Sequence, residues 1–324
     1  MILNRSKKIF ITGAAGFIGS EFARQAYASG AYSKIYLLDC LTYAADLRRI
    51  SNLFDDKKVV FIEGNINDQR IYHKALSECD EAIHFAAESH VDKSIDSGQS
   101  FVETNINGSY IFLENCRILN NLKTLFVSTD EVYGSIEKGE ADENAKLNPS
   151  SIYSASKTAS DLLALANFAT HSQNVLITRC CNNYGPFQHN EKFIPTVINN
   201  LLLNKNVPIY GSGENIREWI HVSDHVSALF ILLDFGKPGI VYNIGTGERV
   251  SNLDIFGILA KELNFGTEKV EFVTDRKGHD FRYSIDSSKL RNELGWQPQF
   301  NLYQGLVNTL NWYGKWNIEN GQVY

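Results

Sequence analysis

Asp130 and Glu131 stand side by side in the stretch Ser128-Thr129-Asp130-Glu131-Val132-Tyr133-Gly134, and Tyr153-Ser154-Ala155-Ser156-Lys157 follows. Tyr153 and Lys157, four apart at the start of a helical pattern, share one helix face. A buried ammonium beside a phenol stabilises the phenolate and lowers its pKa from ~10. That makes Tyr153 a base for a substrate hydroxyl at neutral pH. Adjacent carboxyls point in different directions and can address different substrate atoms. In a closed site one stays protonated as an acid while the other works as a base. Thr129 is placed to hydrogen-bond a substrate hydroxyl. Tyrosine with lysine speaks for hydride transfer; the extra acid pair speaks for elimination of water as well.

Hydride transfer needs a dinucleotide, and the N-terminus offers a place for one. Gly13-Ala14-Ala15-Gly16-Phe17-Ile18-Gly19 lies between a strand pattern and a helix pattern, where backbone amides and a helix N-terminus can face a pyrophosphate. Asp39 ends the next strand, 20 residues past Gly19. Its carboxylate suits the adenosine ribose hydroxyls and repels a 2'-phosphate, which favours NAD over NADP.

Positioning these groups requires a sheet. Lys8–Ile11, Ile35–Asp39, Val59–Ile62, Ala82–Phe85, Thr124–Ser128 and Val175–Arg179 read as strands. Helical spacing fills Phe17–Ser29, Asn105–Leu119 and Ser151–Phe168. Continuous apolar strands alternating with helices predict an α/β, doubly wound parallel sheet covered on both faces. Asp130 and Glu131 then fall at the C-terminal end of a strand, where ligands bind in such sheets. Beyond Cys181 the pattern loosens: 182–195 is turn-rich, with helices expected over Thr196–Leu203 and Val226–Leu233 and a strand over Ile240–Ile244. The expected division is a Rossmann domain over 1–180, joined by 218–247, and a smaller lobe formed by 181–217 and 248–324.

Bulk properties narrow the class. The 324 residues are 44% hydrophobic and 21% charged, ordinary for a soluble globular protein with ample core. A net charge of -6 argues against a nucleic-acid surface. No run approaches the ~20 apolar residues of a membrane helix. Glycines interrupt the opening apolar run, so no export signal is read. Five cysteines, with Cys180 and Cys181 adjacent, fit a reduced cytoplasmic protein. His221 and His225 have helix-compatible metal spacing, but Trp219-Ile220-His221-Val222 reads as a strand and no third ligand lies nearby; no metal is expected.

Together these motifs resemble the extended short-chain dehydrogenase/reductase superfamily, and within it the dTDP-glucose 4,6-dehydratases. The resemblance runs from Lys8 to about Tyr313. It includes Asp39-Cys40-Leu41-Thr42-Tyr43-Ala44, His84-Phe85-Ala86-Ala87-Glu88-Ser89-His90-Val91-Asp92, Asn182-Asn183-Tyr184-Gly185-Pro186, Glu191-Lys192-Phe193-Ile194-Pro195 and Arg276-Lys277-Gly278-His279-Asp280. It implies a redox-neutral cycle on a nucleoside diphosphate glucose, leading to deoxysugars such as rhamnose. Tyr153 takes the C4 hydroxyl proton as hydride passes to NAD, Glu131 removes the C5 proton, Asp130 protonates the departing C6 hydroxyl, and hydride returns to C6. The resemblance implies an NAD site lined by Gly13, Gly16, Phe17, Ile18, Gly19, Asp39, Cys40, Leu41, Thr42, Asn65, Ile66, Phe85, Ala86, Ala87, Ser89, Thr104, Tyr153, Lys157 and Asn183. It implies a substrate site in the smaller lobe drawing on Asn182, Lys192, Phe193, Pro208, Tyr210, Arg217, Asn252, Arg276 and His279, with Ser89, Thr129, Asp130 and Glu131 at the sugar. A homodimer through the helices at 105–119 and 151–168 is also implied.

The chain departs from that pattern at Asn65, where the family usually has Asp beside the adenine, and at Ala45-Asp46, in place of Gly-Asn in the adenosine loop; neither change touches the acid pair or Tyr153. Two other readings use much of the same machinery. A UDP-glucose 4,6-dehydratase would differ in the nucleobase pocket, where one methyl discriminates by only ~1–3 kcal/mol. An NAD-dependent epimerase or decarboxylase would have no use for Asp130.

Overall fold

The structure, a computed structural model, describes residues 7–119 and 122–319. The outermost ends of the expected domains, 1–6 and 320–324, lie outside the described residues. The chain divides into two compact units: Met1–Val132, Ser151–Arg179 and Val226–Tyr242 form the first, and Tyr133–Ser150, Cys180–His225 and Asn243–Tyr324 the second.

The central sheet is built from β1 (Lys7–Thr12), β2 (Tyr32–Asp39), β3 (Val59–Glu63), β4 (Glu81–His84), β5 (Lys123–Thr129), β6 (Val175–Cys180) and β10 (Val241–Ile244). Its strands run parallel in the order β10-β6-β5-β4-β1-β2-β3. Strand order reverses between β1 and β4, which opens a crevice at their C-terminal ends. Helices α1 (Phe17–Ser29), α2 (Gln69–Ser77), α3 (Val91–Asp96), α4 (Gln99–Phe101), α5 (Ser109–Ile118), α6 (Ile152–His171) and α8 (Val222–Phe235) make the connections. The strand interiors are almost wholly apolar; Phe10, Ile83, Leu125, Phe126 and Ile177 are completely buried, as a sheet covered on both faces demands. Helix α6 starts on a capping box in which Ser151 and Ser154 exchange side-chain and backbone hydrogen bonds, which fixes where its first turn begins.

One expected helix differs in kind. In place of a helix starting at Asn105, a π-helical segment spans Val102–Gly108 ahead of α5. A Cβ on Gly108 would stand 2.5 Å from Ile66 Cγ2, so only glycine allows this approach. The wider turn points the Asn105 amide inward, where it donates to Ser156 Oγ at 2.9 Å and to the Glu88 carbonyl at 3.0 Å. Single-turn π segments concentrate at functional sites.

The second unit contains β7 (Asn182–Tyr184), β9 (Ile216–His221) and β11 (Arg249–Ser251) in one sheet, and β8 (Val207–Tyr210) paired with β12 (Val270–Val273) in another. Its helices are α7 (Phe193–Leu202), α9 (Asn252–Glu262), α10 (Ser288–Leu294) and α11 (Leu302–Glu319). Ile198, Leu201, Trp219, Phe256, Leu259 and Leu306 pack into its core. Helix α7 begins before Pro195, not after it; a proline in the first turn lacks an N–H that would have no intrahelical partner there anyway. Because β9 pairs with β7 and β11, the segment of the expected 218–247 that lies in the first unit is Val226–Tyr242. Residues 133–150 lie in the second.

Candidate active site

At the end of β1 the chain turns through Gly13, whose φ is +65°. A Cβ there would stand 2.8 Å from the Ala86 nitrogen, and one on Gly19 would stand 2.2 Å from the Gly13 carbonyl oxygen. Both positions require glycine. Gly16 is the N-cap of α1, with no side-chain cap and no acidic residue in the first turn. Phe17 and Ile18 open that helix, half-buried. The amides of a helix start left uncovered in this way suit a pyrophosphate.

Asp39 ends β2 buried, accepting the amides of Ala15 and Leu41 at 2.8 Å each. Burial pushes its carboxyl up, while those two amides and Arg49 pull the other way. Cys40 and Thr42 are exposed, and Leu41 adopts a left-handed φ of +53°. Arg49, which the sequence does not mark, ties this loop down by donating to the carbonyls of Ala15 at 2.8 Å and Ala44 at 2.9 Å. Asp46 caps the next 3-10 turn through the Arg48 amide, so the departure from Gly-Asn gives the loop its own local anchor. Asn65 is exposed and its side-chain oxygen accepts the Asn67 amide at 2.9 Å; Ile66 beside it is buried.

The end of β4 approaches the same glycine loop. Thr12 Oγ1 accepts the amides of Phe85 and Ala86 at 3.1 Å each and meets His84 Nδ1 at 2.9 Å. His84 Nε2 lies 3.1 Å from Ser109 Oγ. Burial, reinforced by the Lys157 charge, pulls the imidazole down to about 3, so it stays neutral and, through Thr12, helps position Phe85 and Ala86. Ser89 is exposed, and Thr104 is half-buried in the π segment.

The acid pair follows β5 in a 3-10 turn over Asp130–Tyr133. Asp130 is 2% exposed; Thr129 Oγ1 donates to Asp130 Oδ1 at 3.3 Å and accepts the Glu131 amide at 3.3 Å. Thr129 also hydrogen-bonds Tyr153, and Glu131 and Asp130 both act on that phenol through their charge. Thr129, Asp130, Glu131 and Tyr153 therefore form one cluster. The neighbouring Ser128 Oγ is buried with no hydrogen-bond partner among the described residues.

The ionisation of Tyr153 runs against the sequence-based expectation. Burial is the largest influence and pushes the phenol well up, Glu131 and Asp130 push it further, and the Thr129 bond opposes them. Lys157 Nζ donates to the Val127 carbonyl at 2.8 Å, so its charge is spent on strand β5 and not on the phenol oxygen. Burial lowers Lys157 to about 8, with Asp161 opposing the fall.

The remaining expected residues lie in the second unit. Asn183 on β7 is fully engaged: its oxygen meets His225 Nδ1 at 2.9 Å, and its nitrogen donates to Cys180 Sγ at 3.3 Å and the Cys181 carbonyl at 3.0 Å. Its side chain therefore orders the start of its own unit. His221 packs at 4.3 Å centroid distance on Phe300, so the two histidines serve separate contacts. Asn182 Oδ1 is buried with no hydrogen-bond partner among the described residues. Lys192 is the N-cap residue of α7, and Phe193, which follows it, packs on Trp219. Pro208 and Tyr210 point outward from β8, and Tyr210 stands edge-on to His279. Asn252 opens α9. Arg217 is buried, donating to the carbonyls of Ile216 and Asp280 at 2.8 Å and of Phe281 at 3.2 Å while lying 4.2 Å over the Tyr283 ring. Arg276 is half-buried beside His279, whose Nδ1 lies 2.6 Å from Asp275 Oδ1. Burial and the Arg276 charge lower His279 to about 4.

A doubly wound sheet with a glycine turn after β1, an acid after β2 and a Tyr-x-x-x-Lys helix defines a dinucleotide-dependent enzyme of the extended short-chain type. The profile of the GDP-mannose 4,6 dehydratase family matches residues 10–309, and the chain belongs to that family. It is 43% identical over 312 residues to a dTDP-glucose 4,6-dehydratase of Streptomyces niveus, covering 94% of this chain and 92% of that one. The crystal structure of DesIV, the dTDP-glucose 4,6-dehydratase of Streptomyces venezuelae with NAD bound, superposes with a TM-score of 0.93 at 43% identity, covering 96% of this chain and 98% of that one. A UDP-glucuronic acid 4-epimerase of Bacillus cereus shares the fold with a TM-score of 0.89 but only 27% identity, over 95% of this chain and 99% of that one.

Proposed function

We propose that this protein dehydrates dTDP-glucose to dTDP-4-keto-6-deoxyglucose and water, with NAD as its resident cofactor. The observation that carries this reading is the cluster of Thr129, Asp130 and Glu131 around Tyr153. An epimerase has no step for a buried acid at position 130; a dehydration has one. The glycine cradle that no Cβ could enter and the pinned Asp39 fit NAD. Held by the glycine turn and Asp39, NAD would supply the acceptor for hydride from C4 of the sugar and the donor of hydride to C6.

The chain's own residues do the proton chemistry. Tyr153 takes the proton of the C4 hydroxyl, and Thr129 holds that hydroxyl in line. Burial and the charge of Glu131 hold Tyr153 as the neutral phenol, so it becomes a base only as positive charge acts on it; Lys157, one turn along the same helix face, is the cation of that helix stripe. A ketone at C4 makes the C5 proton acidic. Glu131 removes it while Asp130 gives a proton to the leaving C6 hydroxyl, which departs as water; when hydride returns to C6, Glu131 gives a proton exchanged with solvent back to C5. The two carboxyls, on one short turn with Asp130 buried and Glu131 half-buried, can hold these opposite roles.

In this reading Arg276 and Lys192, both of the second unit, bind the substrate diphosphate. A cytoplasmic homodimer is part of the same proposal. Exposed Tyr110, Ile118, Leu162 and Phe168 on α5 and α6 suit a self-complementary apolar face, and no helix among the described residues is long and apolar enough to cross a membrane. Sedimentation at micromolar concentration reads the dimer; a monomer there removes that part.

The deciding experiment incubates dTDP-glucose with the enzyme in deuterated water and follows mass and NMR. Loss of one water with deuterium at C5 is expected. Unchanged mass with inverted C4 would mean epimerisation. Turnover of UDP-glucose but not dTDP-glucose would move the nucleobase assignment and leave the dehydration intact.

A further inference from the structure

Tyr153, Lys157 and Asp161 recur every four residues along α6, so they form one stripe facing the sheet. The first two have parts in the reaction proposed above; Asp161 does not, and it is completely buried. A carboxylate is retained in such a place only with a partner. Its partner is Arg179 on β6, which clamps it bidentately: Nε donates to Oδ2 at 2.8 Å and Nη2 to Oδ1 at 3.0 Å. The arginine side chain is only 3% exposed. A fork of this kind fixes the plane and the position of the carboxylate.

We propose that Asp161, held by Arg179, is a positioning residue for Lys157: it fixes the α6 stripe on β6 and supplies the negative charge that keeps the buried ammonium in place beside Val127. The proposal rests on Lys157 being part of the reacting machinery. The surroundings of Lys157 support it. On β5, the Val127 carbonyl accepts its proton and the Phe126 ring lies 5.2 Å from Nζ. From β4 comes His84, held neutral and so adding no charge. The π segment presents the uncharged Asn105 to Ser156. Asp130 and Glu131, after β5, act on Tyr153 at the near end of the stripe. Arg179 faces Asp161 from β6, and Asp161 is the group whose charge holds Lys157 up against burial.

The test removes the charge without stranding its partner. Asp161→Asn alone leaves Arg179 buried and uncompensated, which costs fold stability whatever the role of the pair. The double variant Asp161→Asn/Arg179→Gln keeps the shapes and removes both charges. An NMR pH titration of the Lys157 Cε in protein carrying 13C-labelled lysine, assigned against Lys157→Met, follows its protonation without any turnover. In the wild type the midpoint lies near pH 8, and in the double variant it falls by about one pH unit. The alkaline limb of kcat falls by the same interval, with KM unchanged. Asp161→Glu, which keeps the charge, restores both. An unchanged titration midpoint in the folded double variant overturns the proposal, as does a loss of kcat uniform across pH. Should the wild type fail to turn over dTDP-glucose, the titration midpoint still decides the question for Lys157, so the two failures are distinguishable.

Discussion

The end of β5 and the surroundings of Arg217 present their charged groups in opposite ways. In the first, Tyr153, Asp130 and Thr129 lie on a strand end and a capped helix, and the charges act on one another: two carboxylates press on one phenol. In the second, the guanidinium of Arg217 is already spent on three protein carbonyls and a tyrosine face. Beside it His279 and Asp275 pair with each other, and Tyr210 is 41% exposed. Groups that must change protonation are left electrostatically unsettled on rigid elements. Groups that recognise a ligand are settled in the fold, or sit at its surface.

The sharpest way to break this contrast is Tyr153→Phe. It removes one hydroxyl and no packing, and kcat is expected to fall by roughly 10³-fold or more, within the range for general-base groups; absorbance at 340 nm after substrate addition should stay flat. Full signal would mean that another group takes the C4 proton. Asp130→Asn comes next. Dehydration should fall roughly 10²–10³-fold while oxidation at C4 continues, seen as a 340 nm signal that persists without loss of water. Unchanged turnover would return Asp130 to the role of a buried structural acid. Arg217→Met tests the other region. Leaving buried carbonyls unpaired costs about 1–3 kcal/mol, so the melting temperature should fall while kcat is nearly unaffected; a large KM increase without a change in melting would show that the guanidinium serves the diphosphate instead. Tyr210→Ala is expected to do least. A roughly three- to tenfold higher KM for dTDP-glucose, about 1 kcal/mol of ring contact, should come with no change in stability.

Much of the first unit was legible from local pattern. Apolar runs separated by amphipathic stretches marked β1 to β6 within a residue or three, because a strand covered on both faces must be apolar throughout. The glycine loop was legible because the fold needs absent side chains at Gly13 and Gly19. The four-residue interval from Tyr153 to Lys157 announced a shared face wherever a helix forms. The second unit was harder to read. Its strands are short, β7 and β11 having three residues each, and too short for periodicity to show.

What the sequence determined by itself, then, was the alternation that builds the sheet and the residue types at its C-terminal edge. Both follow from chain-local rules: side-chain direction alternates along a strand and recurs every three to four residues in a helix. Only the tertiary structure decided where each charge is used. Lys157 reaches back 30 residues to Val127, Arg179 reaches 18 to Asp161, and Arg217 reaches 63 to Asp280. It also reversed the expected direction for Tyr153, because burial and the charge of a neighbouring turn depend on what the fold brings around a group. No window of sequence contains that information; the low-dielectric interior, assembled from distant segments, sets it.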